Sequence, residues 1–171
     1  MIGKLFRHLR YKKMIKSSAS YLLNDFSNIV NDTVEHFERN GKIRSVLYKE
    51  VLKFESTVFT LWLFQKSNVF PVTLHKIILD EVHNQYFERL RKNGFDFKLR
   101  EAIGGELNSR YKIYNETISQ NEDASKIGTK FIRFLTENAK VDLDMSDILI
   151  PMYIMEKTKP RFQEYRKVVN I

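Results

Sequence analysis

Cysteine is missing from all 171 residues. That excludes a disulfide scaffold, a thiolate zinc site and a cysteine nucleophile. Glycine and proline are scarce, at six and three, too few for the frequent turns of an all-β protein. No acidic residue precedes Asp25. Long apolar runs are absent as well. The best uncharged stretch, Val58 to Gln65 with Ser56 and Thr57 ahead of it, falls far short of the ~20 residues a membrane span needs. Motifs with a defined chemistry are missing too: there is no Gly-x-Ser-x-Gly, no His-Glu-x-x-His, no Glu-x-x-His and no phosphate-binding glycine loop.

What is present is apolar material and an uneven charge. Hydrophobic residues make up 43% and aromatics 13%, enough for a compact core in a chain of one-domain length. The net charge is +8. Lys4, Arg7, Arg10, Lys12, Lys13 and Lys16 all precede the first acid, and the remaining chain holds 23 basic against 21 acidic residues. The basicity is therefore mostly a property of residues 1–16. A second basic stretch, from Lys157 to Lys167, ends the chain.

The apolar pattern is helical throughout. Residues 18–40 place Leu22, Phe26, Ile29, Val30, Val34 and Phe37 on one stripe, in steps of three and four. Ser17 or Ser18 is the expected N-cap, and Asn40-Gly41 the stop. A helix over about 43–66 follows. Its half from Val58 to Phe64 is apolar all round, which marks it as central; a strand is the competing reading for that short run. Asn68 to Pro71 breaks the chain, a helix over 72–93 comes next, and Asn93-Gly94 ends it. Asp96 is placed to cap a further helix through Ile118. A short helix around Ile127 to Leu135, a turn from Val141 to Asp147, and a last helix from Ile148 that Pro160 kinks or splits complete the chain. Neither repeats nor linkers are visible. The sequence thus predicts a single all-α domain over residues 1–171, a bundle or orthogonal array of six to eight helices. Phe54, Val58, Leu61, Trp62, Ile78 and Val82 are expected in its core.

Candidate chemistry is thin. Asp32 with His36, and Asp80 with His83, are three or four apart, so each pair shares a helix face. Two helices each offering a carboxylate and an imidazole are how bundle cores hold metal; surface ion pairs are the commoner outcome of the same spacing. His75 lies on the apolar arc of its helix, where a base, a ligand or a core histidine bonded to a carbonyl are the alternatives. Gly104-Gly105 sits inside a helical pattern and implies a close helix approach or a kink.

The N-terminus is the most distinctive feature. Ile2, Leu5, Phe6 and Leu9 form a short apolar stripe among Lys4, Arg7 and Arg10, the pattern of a helix that lies on an anionic membrane or in a partner's groove. The same segment, acid-free and followed by Ser17-Ser18-Ala19-Ser20, also has the character of mitochondrial targeting; a terminal helix docked on the body is the third alternative. The sequence thus points to a non-enzymatic, cofactor-free binding or adaptor protein, soluble and intracellular, with its basic start at a membrane periphery. Its expected partner is an anionic membrane surface or an acidic protein. Nucleic acid ranks behind these, because Trp62, Tyr111 and Tyr114 fall at core spacing instead of forming an aromatic platform. The alternative is a metal- or small-ligand-binding bundle with enzymatic activity, built on His36, His75, Asp80 and His83.

Overall fold

The computed structural model describes the backbone of residues 2–119 and 124–168, and the side chains of residues 8–118 and 126–165. Six helices pack against one another: α1 (Ile2–Arg39), α2 (Val46–Ser67), α3 (Val72–Lys92), α4 (Phe97–Ser119), α5 (Ala124–Ala139) and α6 (Leu149–Val168). A 3-10 turn, Met145–Ile148, leads into α6, and no strand occurs among the described residues. None of the described helices is long and apolar enough to cross a membrane.

The expected all-α array is what forms, with α2 at its centre. Val58, Phe59, Leu61 and Phe64 have no exposure, and Trp62 almost none. This helix touches α1, α4, α5 and α6, while α3 lies across α1 and α4. One contiguous core draws on all six helices. Of the six expected core residues, Val58, Leu61, Trp62, Ile78 and Val82 are buried, and Phe54 is partly buried against them.

Several boundaries differ from the sequence reading, each for a local reason. Ser17 and Ser18 do not cap a helix, because α1 runs through them without a break. The Ser17 hydroxyl donates to the Lys13 carbonyl at 2.7 Å, a bond that satisfies serine inside a helix. The second helix begins at Val46 instead of residue 43, since the Ser45 side chain accepts from the Tyr48 N–H at 3.0 Å. Asp96 does receive the Leu99 N–H. The helix around Phe131 is longer than expected, at 16 residues. Pro160 does not split α6; the carbonyl it deprives of a donor belongs to Glu156, on the exposed side of that helix. Gly104 marks a close approach: a Cβ there would sit 3.5 Å from the Phe87 ring of α3.

The helix ends carry a testable difference. Gly41 and Gly94 hold the left-handed conformation after α1 and α3, but after α5 that position is Lys140, at φ +54°. Its neighbour's N–H, that of Val141, still bonds back to the Thr136 carbonyl at 3.1 Å, closing the helix as glycine would. A side chain in this region is strained, so Lys140→Gly is expected to raise stability by about 0.5–1 kcal/mol. Urea unfolding of the variant beside the parent checks this; an unchanged or lower midpoint contradicts it.

Three buried carboxylates pin the helices to one another. Asp25 of α1 accepts from Arg161 at 2.7 Å and from the Tyr165 hydroxyl, both on α6. Glu55 of α2 meets Arg110 of α4 at 3.2 Å and Asn138 of α5 at 3.3 Å. Asp147 of the 3-10 turn, 1% exposed, takes Arg44 at 2.7 Å and the Tyr48 hydroxyl at 2.6 Å. Each is charge-assisted, and each joins elements that are distant in the sequence.

Candidate functional site

The helix α1 begins well before the body of the protein does. His8, Leu9, Arg10, Tyr11, Lys12 and Lys13 are all exposed. Six consecutive exposed residues cover more than one full turn at 3.6 residues per turn, so the helix there is free on every side. Met14 is the first described side chain to touch the core, and Ile15 and Ala19 are the first buried ones. The body's grip begins in the same place, where Gln85 of α3 donates to the Lys16 carbonyl at 3.0 Å.

Of Leu5, Phe6 and Leu9, the apolar residues of the docked alternative, only Leu9 is among the described side chains. Leu9 is 54% exposed. Arg10, Lys12, Lys13 and Lys16 are exposed too, and among the described residues none of them meets a carboxylate. The side chains of Ile2, Lys4, Leu5, Phe6 and Arg7 lie outside the described residues. Asp25, the first acid of the chain, is turned into the interior and bonded there. Four cations thus stand together in solvent with Leu9 and Tyr11, none of them in an ion pair among the described residues, although Glu81 lies near Lys16, its carboxylate and the Lys16 carbonyl sharing the Gln85 amide.

The four sparse ligand candidates are scattered. His36 of α1 stacks on Tyr153 of α6, ring centroids 4.4 Å apart, and Lys157 covers the same tyrosine. His75 is buried against Phe64 and Phe70. Its ring lies beside the carbonyls of Phe64 and Gln65 but makes no hydrogen bond of normal geometry. Burial lowers its pKa, which those carbonyls partly oppose. His83 joins α3 to α4, with Nε2 3.0 Å from the Tyr111 hydroxyl. Burial lowers its pKa as well, against the Asp80 charge and the Leu79 carbonyl. Asp80 itself is exposed. Among the described residues no group of three or more metal-ligating side chains comes together.

Two other features went unread in the sequence. The first is the set of buried acid–arginine clusters, whose partners lie 55 to 140 residues apart and leave no local signal. The second is an accumulation of bare apolar side chains at the start of α6. There the signal was present: residues 148–155 are apolar on every side of the helix, and a helix at the edge of an array can bury only one. A hollow of about 620 Å³ beside Arg44 and Asp142 offers little chemistry, because the Arg44 guanidinium is already bonded to Asp147 and the Asp142 carbonyl. Compared with known proteins, the chain matches no family model, no curated protein and no solved structure.

Proposed function

We propose that this is a non-enzymatic binding or adaptor protein that meets an anionic membrane surface through the basic first turns of α1. The observation that carries the reading is the exposure of residues 8–13 on every side of the helix. A helix packed on the body would spend its apolar face there; this one keeps Leu9 available beside Arg10, Lys12 and Lys13. Cations near an anionic leaflet gain about 1 kcal/mol each, and the attraction falls off over a Debye length of about 8–10 Å at physiological salt. Binding of this kind is weak, reversible and sensitive to ionic strength.

The test is co-sedimentation with phosphatidylserine-containing vesicles at low salt. Arg10→Ser, Lys12→Ser and Lys13→Ser together should reduce partitioning roughly 10–100-fold, allowing for screening. All three side chains are exposed, so the fold is untouched. Phosphatidylcholine vesicles and high salt should each abolish binding. Parent protein that ignores anionic vesicles at low salt, or a triple variant that binds them equally, would sink the reading. Duplex DNA run in parallel exposes a nucleic-acid preference, which would also count against it.

A further inference from the structure

The chain from Leu143 to Met152 is unusually bare. Five of the fourteen large hydrophobic side chains exposed among the described residues lie within these ten positions. Ile150 and Ile154 turn into the core with no exposure, and Pro151 is buried beside them. Leu149 and Met152 are left outside, the latter 61% exposed.

These residues border a groove. Gly128 and Ile132 of α5 face Ile148, Pro151, Met152 and Met155 across a hollow of about 410 Å³. Gly128 keeps the two helices close, since a Cβ there would lie 3.4 Å from the Pro151 ring. Met155 also lines a second hollow of about 360 Å³, which adjoins the first at that side chain and is bordered by Leu63, Lys66, Lys159 and Phe162. One stripe therefore floors both: Ile148 at the end of the 3-10 turn, then Met152, Met155, Lys159 and Phe162 of α6, in steps of three and four. At 1.5 Å per residue the stripe is about 21 Å long, the length of a four-turn helix.

We propose that this groove receives an amphipathic, acid-bearing helix of a partner protein, its apolar face on Met152 and Met155 and its carboxylates over Lys66 and Lys159. Charge complementarity decides the sign of the partner. Lys66 and Lys159 stand at one end of the apolar floor, and among the described residues neither has a carboxylate partner. The shape decides its class. The groove is open along its length, and Leu149 extends the apolar surface outside it. A single acyl chain would leave that surface wet, whereas a helix laid in the groove covers it. Methionine suits the role because its flexible thioether adapts to different apolar faces. The inference is independent of the basic turns of α1, which lie on another element.

A fluorescein-labelled synthetic peptide tests this by fluorescence anisotropy against the full chain. It repeats leucine at i, i+3, i+4 and i+7, with glutamate and alanine elsewhere. Saturable binding is expected, lost when the same composition is scrambled or when lysine replaces glutamate. Met152→Asn and Lys159→Glu, both at exposed sites, should each weaken binding about tenfold, while the Arg10, Lys12 and Lys13 triple variant should bind as the parent does. Several results would overturn the proposal: no binding, equal binding of the scrambled or lysine peptide, or groove variants that bind normally. Loss of binding in the triple variant would assign the peptide to α1 by charge alone. Displacement by decanoate would make the occupant an acyl anion, and a parent dimer that Met152→Asn dissociates would make it a second copy.

Discussion

Arg110→Met is expected to cost about 3–5 kcal/mol, because it strands a buried charge. The Glu55 side chain is 1% exposed and that of Arg110 9%. Without the guanidinium, Glu55 keeps only the Asn138 amide at 3.3 Å. The same arginine also lies over the Phe134 ring, 3.9 Å from its centroid, so methionine is chosen to retain some apolar packing. The effect has a pH signature. Burial already raises the Glu55 pKa, and Arg110 and Asn138 hold it down. Removing Arg110 lets the folded pKa climb further above the unfolded one. In the window between the two the folded state binds more protons, so stability falls as pH rises through it. The deficit measured by urea unfolding should therefore be smaller at about pH 5 than at about pH 8. Adding Glu55→Leu removes the stranded charge and should restore most of the loss at both. A single variant as stable as the parent, or a deficit that grows on acidification, would contradict this account.

Phe59→Ala should cost about 3–5 kcal/mol, and Phe97→Ala no more than about 0.5. The chemistry removed is identical and only the surroundings differ. Phe59 has no exposure, and its ring meets Phe131 at 5.2 Å, Tyr114 at 5.5 Å and Trp62 at 5.8 Å. A cavity there cannot collapse without moving three large rings on three helices. Phe97 opens α4 at 71% exposure and has little to lose. Thermal scans should separate the two by about 6–20 °C for a chain of this size. Equal midpoints would mean that α2 is not the centre of the core.

Periodicity made most of the helices legible through a single apolar side, and α2 stood out because Val58 to Phe64 is apolar all round. Capping was legible at the glycine stops Gly41 and Gly94 and at Asp96 and Asp144, whose carboxylates take the backbone N–H groups of Leu99 and Ser146. Ser17 misled because the same hydroxyl that caps a helix also closes on the carbonyl four residues back. Pro160 did not split its helix because a missing N–H is tolerated where water reaches the carbonyl it abandons. At the candidate site, the basic charge of residues 1–16 was visible in composition alone. That residues 8–13 stand clear of the body was not, since burial depends on where the neighbouring helices end. The pairings of Asp25, Glu55 and Asp147 were beyond reach, because each partner is chosen by packing in three dimensions.

The Asp25 cluster has a consequence for how the chain matures. Its carboxylate lies in the first helix, but the arginine and tyrosine that receive it are 136 and 140 residues further on. During synthesis at about 5–20 residues per second, the acid waits on the order of ten seconds for its partners to emerge. Until then α1 cannot seal against α6 without stranding a charge. A chain cut short before Arg161 never closes this contact. The first and last described helices are thus joined through one buried carboxylate, and α1 and α6 are expected to become protected from exchange together.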